Sequence, residues 1–218
     1  MGETSSGAPW SMSNSHPRCD DHGINHLTSI PPMRHAPSLR QRLRARRLNR
    51  RDGVELAPGA LIGRAVSVEV SPGARLRIGA CARIGDRTRF LVRAGAVEIG
   101  EQASLGERCT IVAHAGVQIA PRATLGDEVT ILDFDHRFAD PELPIRVQGL
   151  TSERVSVGEG AILGPRAAVL RGARVGAGAR VGPLAVVKGE IAPGAVVEGV
   201  PARAPGPPPP RHRRKGGR

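Results

Sequence analysis

The chain has 218 residues, room for one domain with tails, and only 2% of them are aromatic, with no tyrosine. No apolar run is long enough to cross a bilayer, and nothing near the start reads as the core of a secretory leader. The net charge of +12 sits in the flanks, with eight arginines and no acid over 34–51 and five basic residues over 211–218, so the sequence between is nearly neutral. A nucleic-acid-binding body with a basic face and stacking aromatics is therefore not expected.

Residues 1–52 read as a disordered leader ending in a short basic helix. The first 32 are rich in Ser, His, Pro and Gly without periodic hydrophobicity, and Trp10 is their one aromatic residue. His16, His22, His26 and His35 have no regular spacing, so they read as solvated and not as metal ligands. Met33 stands just ahead of the organised part and is an alternative start. Over 38–49 the spacing predicts a helix capped by Ser38, with Leu39 and Leu43 one turn apart. Two roles follow: a lid over the first turn of the domain behind it, or attachment to an anionic membrane surface.

From there a period of six takes over. Aliphatic residues stand at Val157, Leu163, Val169, Val175, Val181 and Val187, with alanine four places after each of the first five. Earlier sets are Ile78, Ile84 and Phe90, then Ile99, Leu105 and Ile111, then Ile119, Leu125 and Ile131. The residue after each aliphatic is usually glycine, which would let the chain bend into positive φ. Neither a helix nor an alternating strand has this period. Short strands joined by tight turns do, so 53–204 is expected to be all-β, a hexapeptide-repeat parallel β-helix with three strands per turn. Five turns are countable, six if Ile62 and Val68 begin one. A narrow interior of Val, Ile, Leu and Ala also explains the shortage of rings. Cys19, Cys81 and Cys109 are odd in number and at no metal spacing; Cys109 takes a small interior position, and a reducing cytoplasm suits them.

The rhythm slips at 92–95 and 113–116, where small corner loops are expected. It breaks between Ile131 and Val157, where about twenty residues leave the prism, as counted against the regular step. Long loops on rigid scaffolds are where function concentrates. This one opens LDFDHRFADPELPI, placing Asp133, Asp135 and His136 at the exit beside Phe134 and Phe138. The imidazole of His136 is suited to accept a proton near neutral pH, with the aromatics excluding water and an aspartate or a backbone carbonyl fixing the tautomer. The loop from 141 to 154 and the corner at His114 are expected to line a pocket beside it. The Pro-rich basic residues 205–218 read as a solvated tail.

Interrupted hexapeptide turns, the DFDHRFADPELPI loop and the GVPAR ending together resemble the hexapeptide acyltransferases over 66–203. The chain is most similar to the maltose and galactoside O-acetyltransferase and polysaccharide O-acetyltransferase branch. The resemblance implies a left-handed coil and a homotrimer with active sites between adjacent subunits. It further implies that His136, supported by Asp133 and Asp135, is the general base that deprotonates an acceptor hydroxyl for attack on acetyl-CoA. The CoA contacts it implies fall on Pro165, Pro183, Lys188 and Arg203, and the acceptor pocket on Arg108, His114 and Phe138. The acceptor implied is a sugar or polysaccharide precursor; an antibiotic or an amino sugar is the alternative. A cytoplasmic location is expected, at the inner face of the membrane if the basic helix attaches there. The sequence departs from the pattern at Ile162, where a tryptophan is common, at Arg108, where sugar acetyltransferases have asparagine, and at Lys188, one place ahead of the usual lysine. Pro165 and Pro183 have no N–H to offer a ligand. No metal is expected: a zinc hydrase on the same prism needs three histidines, and the folded part holds His114 and His136. A non-catalytic scaffold is the remaining alternative.

Overall fold

The structure is a computed structural model that describes residues 38–204; the readings for 1–37 and 205–218 lie outside them. It is a left-handed parallel β-helix of triangular section, with seven strands on each of two faces and six on the third. The first face runs from Val54–Leu56 to Glu190–Ile191, the second from Leu61–Ile62 to Val196–Val197, and the third from Ser67–Val70 to Val186–Val187. Parallel pairing stacks like on like, with Ile78 against Ile99, Ile84 against Leu105 and Phe90 against Ile111. Ala82, Ala103, Ala123, Ala161 and Ala179 are fully buried at the narrow corners.

The first turn does form around Ile62 and Val68, both buried. The coil also continues beyond Val187 into a partial seventh turn. Ile191 follows Val187 by four places and not six, because the corner between them shortens to Lys188 and Gly189. At 92–95 and 113–116 the extra length goes into the strands: Val92 and Ala113 end four-residue strands, and the corners are 93–95 and 114–116.

The repeat glycines serve a purpose other than the expected one. Those directly after the aliphatic residue do not have positive φ; they sit where the next turn's backbone passes. A Cβ on Gly85 would lie 2.3 Å from the Gly106 carbonyl oxygen, and one on Gly164 would lie 2.5 Å from Pro183 N. Positive φ comes two residues after the glycine; Gly160 and Gly178 take it in two turns, but elsewhere side chains bear it, as at Arg108 (55°), Glu128 (60°) and Arg166 (60°).

Helix α1 (Leu39–Leu48) begins with a capping box, Ser38 Oγ accepting from Gln41 N and Gln41 Oε1 from Ser38 N. It lies over the start of the second face, where Leu48 is buried and Ala45 packs on the core. Leu39 and Leu43 take no part in that packing. Cys109 is fully buried, donates its thiol to the Gly126 carbonyl at 3.2 Å, and is pushed up to about 11 by burial. No helix among the described residues is long and apolar enough to cross a membrane.

Candidate functional site

The excursion leaves the edge between the third and first faces as an antiparallel hairpin of Phe134–His136 with Leu150–Ser152. Its outer part is tied by Gln148, whose Nε2 donates to the carbonyls of Asp140 (2.7 Å) and Leu143 (2.8 Å). Phe138, Leu143, Ile145 and Val147 are exposed there. At the base, Glu153 N donates to Asp133 O and Val155 N to Gly116 O, so the chain rejoins the coil through backbone bonds.

Asp133 organises this base. Its side chain is fully buried, and it accepts from the amides of His114 (2.8 Å), Ala115 (2.7 Å) and Gly116 (2.6 Å) in the corner one turn below. Three amides converging on one carboxylate are charge-assisted bonds that hold the His114 corner to the hairpin. Gly116 is required here. Its φ is 146°, and an added Cβ would approach the guanidinium of Arg154 to 3.2 Å. Asp135 lies on the other face of its short strand from His136, as alternation demands. Neither aspartate hydrogen-bonds the His136 ring; Asp133 acts on the corner.

The result is a row of three rings. His114 and Phe134 have centroids 4.6 Å apart at 54°, and Phe134 and His136 6.0 Å apart, edge to face. His114 and Phe134 are half-buried, while His136 is exposed with one side against Phe134. Phe138, two residues on, is 72% exposed and outside this row.

The other predicted residues divide between two edges. Lys188 lies on the hairpin edge, two turns above it. Arg108, Pro165 and Pro183 lie on the edge between the second and third faces, and Arg203, near the end of the coil, pairs through its backbone with Glu198. Arg108 and His114 lie beyond opposite ends of the four-residue strand Thr110–Ala113, so roughly 13 Å of extended chain stands between them. A single chain does not bring the two groups together. On the Arg108 edge, Glu128 accepts from Arg166 (2.7 Å) and from Arg108 (2.7 Å), which holds its carboxyl below the ordinary range. On the hairpin edge, Arg154 and Arg171 are two cations missed from the sequence, although each occupies a corner position beside the loop. Arg171 stands 3.8 Å from Glu153, and its Nε is buried without a partner. Among the described residues no three His, Cys, Asp or Glu side chains gather.

Between the two edges the third face presents an unusual outer surface. Leu91, Val112, Leu132 and Leu170 follow one another up the face, with Thr110, Thr130, Ala168 and Val186 beside them, all half-buried. In the repeat, each of these four larger residues stands where the other faces usually have glycine.

No family model matches the chain. It is 33% identical over 143 residues to a probable acetyltransferase of Mycobacterium tuberculosis, Rv3034c, over 65% of this chain and 48% of that protein. The chain thus spans about half the length of the curated relative it matches. Among solved structures it is similar to AntD, an N-acyltransferase from Bacillus cereus. A point variant of that enzyme, solved with dTDP and coenzyme A, has a TM-score of 0.64 at 20% identity, over 78% of this chain and 90% of that one. The complex with dTDP and 3-hydroxybutyryl-CoA has a TM-score of 0.61 at 18% identity, over 76% and 86%. At that identity the likeness shows the fold.

Proposed function

We propose that this chain is an acyltransferase that moves an acetyl group from acetyl-CoA to a hydroxyl of a sugar or polysaccharide precursor. The observation that carries the reading is the ring row His114–Phe134–His136, fixed by Asp133 at the base of the long loop. The similarity to a probable acetyltransferase and to a CoA-binding fold supports it. His136 is the base. Its unprotonated ring nitrogen takes the acceptor's hydroxyl proton as that oxygen bonds the thioester carbonyl carbon. The C–S bond then breaks, and the proton passes from the imidazolium to the departing thiolate. Such a base contributes about 10²- to 10⁴-fold, with alignment of the two substrates supplying much of the rest. Phe134 shields one side of the ring. Arg154, Arg171 and Lys188 put positive charge along the same edge, suited to the phosphates of a CoA arm.

The site is completed between copies in this reading. Arg108, Pro165 and Pro183 join His136 when the second-to-third edge of one copy lies against the hairpin edge of the next. Repeating that head-to-tail contact closes a ring, here a homotrimer, and the apolar outer third face provides surface for it to bury. Acceptor specificity would come from the exposed hairpin tip and Arg108. A second reading, N-acylation of an amino sugar, is favoured by the fold's likeness to AntD, solved with dTDP-4-amino-4,6-dideoxyglucose and coenzyme A.

The test is thiol release from acetyl-CoA with candidate sugars and amino sugars, for the native protein and His136→Ala. Turnover that falls by about 10²-fold or more in the variant, with assembly unchanged, supports the base. Turnover retained in the variant removes His136 from that role. Absence of turnover in the native protein with every acceptor favours a non-catalytic scaffold.

A further inference from the structure

Helix α1 packs through one side only. Ala45 and Leu48 face the core, and Arg44 donates to the Ile62 carbonyl at 3.4 Å. With Gln41 these positions follow the i, i+3, i+4, i+7 spacing of a single helical face. Away from that side, pointing out from the coil, are Leu39 and Leu43, 74% and 55% exposed. Arg42, Arg46 and Arg47 flank the pair and are exposed, and among the described residues none of them forms an ion pair. The sequence LRQRLRARRL holds no acid.

Packing has thus left two large aliphatics of this helix in water, within a ring of unneutralised guanidinium groups. A lid needs neither the leucines nor that charge on its far side. A nucleic acid would match the charge but gives the leucines nothing to bury against, since its contacts with such surfaces use phosphates and stacked bases. A bilayer with anionic headgroups answers both: aliphatic side chains enter the acyl boundary while the arginines stay with the phosphates.

We propose that the outward face of α1 seats on an anionic lipid surface, with Leu39 and Leu43 in the interface and Arg42, Arg46 and Arg47 against lipid phosphates. The contact is peripheral and reversible, since two leucines bury little surface and the electrostatic part is screened by salt. It is independent of the hairpin, so turnover of a water-soluble acceptor is unaffected by changes on this face.

The experiment is flotation of the full chain with vesicles of phosphatidylcholine alone or with about one-third phosphatidylglycerol, at low and high salt. The proposal expects binding to the mixed vesicles at least about tenfold stronger than to the neutral ones, and weaker at high salt. Leu39→Ser with Leu43→Ser, which keeps every charge, is expected to lower that binding about five- to tenfold. Arg42→Gln with Arg46→Gln and Arg47→Gln is expected to abolish it. Circular dichroism checks that the variants keep the fold, their positions being remote from the packed side. Equal binding to neutral vesicles overturns the proposal, as does no binding by the native chain. Binding that the leucine changes leave untouched also overturns it, because the other basic stretch at 211–218 would then be acting as a simple polycation.

Discussion

The first and third faces are built on the same interior and differ on the outside. Inwardly both present Val, Ile, Leu or Phe at zero to a few per cent exposure, as at Val97 and Ile99 on one and Phe90 and Ile111 on the other. Outwardly the first face carries Arg75, Arg77, Glu98 and Arg174, with Arg77 paired to Glu55 at 2.8 Å, a solvated surface. The third carries Leu91, Val112, Leu132 and Leu170. The fold constrains the inner columns equally, so it does not account for the outer contrast. An outer column that stays apolar through four turns records a requirement outside the single chain, which we read as contact with another copy.

The sharpest way to break this contrast is to exchange charge between the faces. Val112→Arg is expected to dissolve the assembly and leave the coil folded, whereas Gln118→Arg, on the outer first face, leaves both unchanged. Light scattering coupled to size exclusion reads the first outcome and circular dichroism the second. A native protein that is already monomeric would leave the apolar column without the partner we assign to it.

A second test concerns what joins the third face to the first. Asp133→Ala leaves three amides of the 114–116 corner without their acceptor, and is expected to cost about 3 kcal/mol, measured by denaturant unfolding. Asp133→Asn keeps one acceptor oxygen and should lose less.

The smallest effect lies inside, where the faces are alike. The folded thiol of Cys109 is raised from 9.0 to about 11 by burial. A raised pKa contributes stability that is complete below the unfolded value and is lost as pH climbs from about 9 toward about 11. Cys109→Ala should flatten that alkaline limb, at a cost near ~1 kcal/mol for the smaller side chain. Its column already contains Ala167 and Ala185. Melting temperatures of the two proteins across this pH range give the comparison.

Much of this architecture is legible in the period of six, because the interior admits one aliphatic and one small residue per side and tolerates little else. The partial seventh turn is not legible, since the Lys188–Gly189 corner drops two residues and throws Ile191 and Val197 out of phase. The hairpin is equally hidden: its strands are three residues each and too short to show alternation. His136 stands out by residue type, but the role of Asp133 does not, because its partners are backbone amides that no side chain announces. The third face did leave a trace. Its hexads lack the glycine after the aliphatic, at Leu91, Val112, Leu132 and Leu170, and at the first three of these the strand runs on through the position, so that a side chain can project outward.

The hairpin rejoins the prism through two main-chain bonds, Glu153 N to Asp133 O and Val155 N to Gly116 O, and one buried carboxylate. The hydrogen bonds made by 137–149 stay within the excursion. That stretch is in effect a cartridge: it can be lengthened, shortened or exchanged for another while the rungs above and below keep their alignment. A scaffold so arranged lets the loop change without risk to folding, and makes this segment the natural place to graft a new one.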